Sequence, residues 1–151
     1  MTIMMKVKMK HIRDFIKNIN PDYGVRYGNV FEVDIPEEKI FIALNKHKEE
    51  DEMVQKFLEK EYGKRYNSFI IGLLHEVGHI ETFEEDLDEE RDFVYSLLKI
   101  DFNNGSSDIE KFNNMYFRIP AEYNATAWAV NYYETHLQEC QELARKLNID
   151  F

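Results

Sequence analysis

Residues 68 to 83, SFIIGLLHEVGHIETF, hold the longest apolar run near the middle of the chain, and polar groups are set into it at a fixed spacing. The apolar positions recur with helical period, so the segment reads as a helix from Ser68 to about Phe83. Within it, His75-Glu76-Val77-Gly78-His79 is the H-E-x-x-H pattern. At 100° per residue the two histidines stand about 40° apart and one turn along, so both imidazoles reach one metal ion with Glu76 beside them. Glu76 is then placed to act as a general base. Gly72 lies on the face of Glu76 and His79, where a mid-helix glycine costs about 1 kcal/mol against alanine. Close approach of another group to that face, or simple helix packing, accounts for it.

A catalytic zinc site normally has three protein ligands and one open position. Two carboxylates compete for the third place. Glu85 follows His79 by six residues, but that arrangement needs a glycine three residues after the second histidine, and Thr82 stands there. The segment IETFEED reads instead as continuing helix, which carries Glu85 about 9 Å beyond His79. Glu122 is the better candidate. It sits near the start of a helix opened by Pro120, and Ala125, Thr126 and Ala129 share its azimuth, so small side chains lie beneath a carboxylate that must come close to the first helix. The metal set is thus His75, His79 and Glu122. A transition-state donor is sought in Tyr116, Arg118 or Tyr123, among which sequence does not choose. Tyr133 and His136 share the face of Glu122 but lie about 16 and 21 Å further along an unbroken helix, so structural roles are expected. His11 and His47 neighbour charged residues and read as surface histidines.

The remaining segments supply a framework. Residues 8 to 19 read as a short basic amphipathic helix with Ile12, Phe15, Ile16 and Ile19 on one face. Residues 28–34 and 39–45 are β-rich runs joined by Ile35-Pro36-Glu37-Glu38, which predicts an antiparallel hairpin. Met53, Val54, Phe57, Leu58 and Tyr62 mark a helix over 48–62, ended by Gly63 in the left-handed conformation. Residues 81–92 carry eight acids and one base, a solvated face leading into a helix with Phe93, Val94, Leu97 and Leu98. Residues 101–107 read as a loop, and the last helix is expected to run from Pro120 to about Leu147.

Composition limits the partners. With 19 basic and 29 acidic residues the net charge is −10, so nucleic acid and membrane surfaces, both anionic, are not expected as partners. Residues 1–20 nevertheless hold five bases and one acid, and this helix is expected to lie near acidic surface, the 81–92 run being the candidate. No segment approaches the roughly 20 apolar residues of a membrane span. The start of the chain shows no secretory apolar stretch, and the single Cys140 has no internal partner, so a reducing cytoplasm is expected. At 151 residues, with 44% hydrophobic content, the chain is read as one domain over 1–151.

The H-E-V-G-H helix followed by E-x-x-A-T-x-W-A, residues 122–129, resembles the gluzincin metallopeptidases, and especially the small intracellular ImmA/IrrE-type proteins. In these an H-E-L-G-H helix precedes an E-x-x-A-N-x-F-A helix. The resemblance spans about residues 25 to 135, with Thr126 standing where the family usually has Asn or Asp to orient the first histidine. It implies an α+β, zincin-like fold: a small antiparallel sheet packed on the active-site helix, with several further helices. It also implies Zn2+ on His75, His79 and Glu122, Glu76 as catalytic base, and cleavage of a peptide bond in a protein or peptide such as a DNA-binding regulator. The competing expectation is a binding protein, either a zincin without activity or an acidic module that occupies a basic partner.

Overall fold

The computed structural model describes residues 2–44, 48–104 and 108–151. The expectations for Asn45, His47 and residues 105–107 fall outside them. In chain order the elements are α1 (Ile3–Ile19), β1 (Gly24–Tyr27), β2 (Glu32–Asp34), β3 (Lys39–Ile42), α2 (Lys48–Tyr62), α3 (Ser68–Glu81), α4 (Glu85–Asn104), α5 (Ile109–Phe117), α6 (Pro120–Thr135) and α7 (Leu137–Leu147). The chain is α+β and mostly helical, and among the described residues no helix is long and apolar enough to cross a membrane.

The hairpin forms as its turn chemistry requires. Val33 pairs with Ile40 in an antiparallel ladder, Glu38 takes a positive φ of 52°, and the Asp34 carboxylate accepts from the backbone N–H of Glu37. The sheet is not wholly antiparallel, however. β1 adds parallel to β3, with Val25 opposite Ile40, giving the order β1-β3-β2. Only Val25 of β1 is buried, so the strand leaves almost no period-two signal between Pro21 and Gly28. Ile40 and Ile42 alternate with half-buried neighbours along β3 and turn one face onto the core.

Helix boundaries differ from expectation in four places. α4 runs on to Asn104, through the first four residues of the stretch 101–107 that reads as a loop. α1 begins at Ile3, because the Thr2 hydroxyl accepts from the N–H of Met5 and caps the helix there. Its periodicity shows only from Met9, where the buried face of Met9, Ile12, Phe15 and Ile16 starts. α3 does not run on through Glu85. Thr82 caps it, its hydroxyl donating to the Gly78 carbonyl at 2.7 Å, and α4 starts three residues later. Electrostatics favours that break: Glu85, Asp86 and Asp88 stabilise the positive N-terminal end of a new helix and would oppose the negative C-terminal end of the old one. The last helix is likewise two helices. Thr135 turns its hydroxyl onto the Asn131 carbonyl and His136 leaves helical geometry, so that α7 folds back with Cys140, Leu143, Ala144 and Leu147 buried. A straight run from Pro120 to Leu147 would extend about 42 Å and carry that apolar face past α1, on which it packs. Gly63 takes a φ of 79° after α2, as its position predicts.

The heart of the molecule is the packing of α3 on α6, its most extensive contact between elements. Gly78 makes it possible: a Cβ built there would stand 2.4 Å from the Ala125 carbonyl oxygen, so no other residue fits without moving a helix. Ala125 and Ala129 are fully buried on the facing side. Gly72 is different, since its added Cβ would meet only the Phe31 ring, at 3.5 Å. The close approach expected on that helix is therefore at Gly78, with Phe31 lying over Gly72. Leu73, Leu74 and Val77 complete the core beneath the sheet, while α1 packs on β1 and α7, and α4 on α5 and α6. α1 thus does not find the acidic run among its main packing partners.

The two glycines should separate cleanly in chemical denaturation. Gly78→Ala is expected to lose about 1–3 kcal/mol through overpacking. Gly72→Ala should be neutral or gain up to about 1 kcal/mol from helix propensity. Equal stabilities would contradict the crossing described.

Candidate metal centre

The start of α3 is fixed before its polar residues are reached. The Asn67 side chain accepts from the N–H of Ile70, and the buried amide of Gln55 both donates to the Tyr66 carbonyl and accepts from the Tyr66 N–H. Tyr133 of α6 supports the same point, its hydroxyl accepting from the N–H of Asn67. From this anchor the helix carries His75 and His79 one turn apart toward α6, with ring centroids 4.7 Å apart and planes nearly perpendicular. Pro120 opens α6 at its first position, which sets Glu122 in the first turn, above Ala125.

Three side chains converge. The Nε2 atoms of His75 and His79 lie 3.1 and 2.7 Å from the same carboxylate oxygen, Oε2 of Glu122. One ligand atom from each residue falls within 4.8 Å of the others, so the three could hold one metal ion. Glu122 and His79 are 2% and 6% exposed, which leaves no water to neutralise the carboxylate. Thr126, one turn beyond Glu122, places Oγ1 2.9 Å from Nδ1 of His75. When Nδ1 donates its proton there, the Nε2 lone pair faces the carboxylate, and the meeting point of these acceptors calls for a positive charge. Both titrations carry the same mark. Burial works against charge on either group, yet Glu122 holds His75 above the ordinary histidine range, and the two histidines hold Glu122 well below the usual carboxylate range.

Around the cluster the polar groups have distinct partners. Tyr116, on the unforeseen helix α5, donates its hydroxyl to Oε1 of Glu122. Burial and the Glu122 charge push its ionisation far above the usual phenol range, so it remains a donor. Arg118 pairs with Glu61, and Tyr123 points its hydroxyl at the same Glu61, so of the three donor candidates only Tyr116 touches the cluster. Glu76 is not among the converging ligands. Burial, together with the charges of Glu122 and Glu32, raises its pKa, partly offset by His75 and His79. A carboxylate held in that state is a better proton acceptor than an exposed one.

Two residues were not singled out in the sequence. Arg91 of α4 forms ion pairs with Asp88 and Asp92 and acts electrostatically on His75 and Tyr116, with Glu122 in turn acting on it. Its signal was its position as the one base among the eight acids of 81–92. Glu32 on β2 acts on Glu76, and nothing in sequence marks a single glutamate on a short strand as a neighbour of a helix 40 residues on. Glu32 and Arg91 both line a groove of ≈ 500 Å³, together with Val33, Asp34 and Phe83. Glu85 is exposed at the start of α4 and does not join the cluster; the cap at Thr82, not a continuing helix, keeps it away. Tyr133 and His136 also stay outside, the latter stacked on Tyr132 at 3.9 Å, and His11 remains on α1.

No family model matches the chain, and no curated protein or solved structure matches it either.

Metal titrations of three variants would rank these roles. Glu122→Ala should cause the largest loss of affinity, and Thr126→Ala a loss of about tenfold by freeing the His75 ring. Glu85→Ala should leave affinity unchanged. A Thr126→Ala protein with undiminished affinity would show that the hydroxyl does not orient the histidine.

Proposed function

We propose that the chain is a zinc-dependent peptidase of the gluzincin kind, with a zincin-like arrangement of sheet and helices and a site similar to that of ImmA/IrrE-type proteins. The observation that carries this reading is the convergence of His75, His79 and Glu122 on one point with Glu76 half-buried beside it. Two imidazole nitrogens and a carboxylate suit zinc, and three protein ligands leave a position open to substrate. When bound, zinc supplies Lewis-acid polarisation of the scissile carbonyl and of the attacking water.

The residues of the chain divide the other tasks. Glu76 takes the proton of the attacking water on its carboxylate and passes it to the nitrogen of the leaving amine. Thr126 holds the His75 ring through Nδ1, and Tyr116 holds Glu122 through Oε1, so neither ligand rotates away. The sheet order leaves β2 at an edge beside the groove of Glu32 and Arg91. An extended segment of a protein or peptide substrate pairs with that edge by main-chain hydrogen bonds, which lays its scissile bond along the site. A cytoplasmic setting belongs to the same proposal.

Glu76→Gln gives the test. The variant should keep its fold and about one zinc per chain, since the residue is not a ligand, and should lose about two or more orders of magnitude in peptide hydrolysis. Loss of zinc in this variant, or full activity, would overturn the assignment.

A further inference from the structure

Two helices present apolar side chains that their own packing does not use. On α1, Ile3 and Met4 are 82% and 69% exposed, and Val7 is half exposed, while Met9, Ile12, Phe15 and Ile16 face the core. On α4, Phe93, Leu97 and Ile100 are 67%, 50% and 56% exposed. Their spacing over two turns makes them one stripe. The charges beside the two patches are opposite. Lys6 and Lys10 are exposed on α1, and Glu89 and Glu90 on α4, and among the described residues none of these four side chains forms a hydrogen bond or ion pair. Complementary surfaces that a chain does not join internally are available to join two chains.

The order along each helix gives the fit a direction. α1 is apolar at its N-terminal end and reaches Lys10 a turn later, whereas α4 is acidic at its N-terminal end and apolar beyond Phe93. Laid antiparallel, with Val7 against Phe93, the helices bring Ile3 against Leu97 and Lys10 against Glu90, because all three pairs keep one spacing. A parallel arrangement, with Ile3 against Phe93 and Val7 against Leu97, would set Lys10 on Ile100. We infer that α1 of one chain docks antiparallel on α4 of a second copy, through Ile3 and Val7 on Phe93 and Leu97, with Lys10 beside Glu89 and Glu90. The partner is a second copy because the basic-apolar helix that complements α4 is present on the chain itself.

Sedimentation of the full chain at about 0.1 M and about 1 M salt, where screening shortens from about 10 to about 3 Å, tests this with two charge-reversed variants. The wild-type chain should self-associate, more weakly at high salt. Lys6→Glu with Lys10→Glu, and separately Glu89→Lys with Glu90→Lys, should each weaken association by about tenfold or more. Mixing the two variants should restore a one-to-one complex, since each reversed helix then meets its opposite charge on the other chain. All four positions are exposed, and circular dichroism verifies that the variants fold. A wild-type chain that stays monomeric up to its solubility limit would overturn the inference and leave the stripe to a different partner. Association that the reversals do not weaken, or that mixing does not restore, would overturn it as well.

Discussion

Everything in the site depends on how closely two helix backbones approach at Gly78 and Ala125. With a Cβ at Gly78 only 2.4 Å from the Ala125 carbonyl, α3 and α6 meet backbone to backbone, closer than side-chain packing allows. The residues of the candidate site flank that contact: His75 and Glu122 stand about one turn before it on α3 and α6, and His79 and Thr126 directly follow it. Their side chains are short, and only this approach lets both imidazoles reach the same carboxylate oxygen. Gly78, the fourth residue of the H-E-x-x-H motif, is thus as much a part of the site as the residues that converge there.

The crossing also creates an electrostatic demand. It buries the Glu122 carboxylate against the buried His79 and the half-buried His75, an arrangement that costs several kcal/mol unless a positive charge is shared among them. A metal cation held by the three residues would meet that demand, with Thr126 and Tyr116 fixing the outer atoms of His75 and Glu122. Arg91 adds positive charge from α4, held in place by Asp88 and Asp92. Part of the acidic run therefore positions a base that acts on the site.

Much of this was legible in the sequence because it follows from local rules. The helical period around His75 and His79, Pro120 ahead of Glu122 and the small residues beneath it required no knowledge of the fold, and the structure brings those three side chains together. What escaped depends on tertiary context. β1 pairs parallel with β3 although only one of its side chains is buried, so its stability comes from the ladder and not from a pattern. The breaks at Thr82 and His136 rest on single hydroxyls folding back onto carbonyls, which sequence periodicity does not register. Tyr116 lies on a nine-residue helix in which Ile109, Phe112 and Tyr116 keep helical spacing, too short a run to stand out beside the loop signal of residues 101–107. The close contact was sought at Gly72, whereas it occurs one and a half turns later.

Anomalous diffraction at the zinc edge from crystals grown with zinc bears most directly on the central claim, that the α3–α6 crossing builds a metal site. The account predicts one ion bound by Nε2 of His75, Nε2 of His79 and the Glu122 carboxylate, at about 2.0–2.2 Å from each. Crystals in which both histidines remain hydrogen-bonded to Glu122 with no anomalous peak between them, or in which the ion takes the histidines but not Glu122, would contradict it.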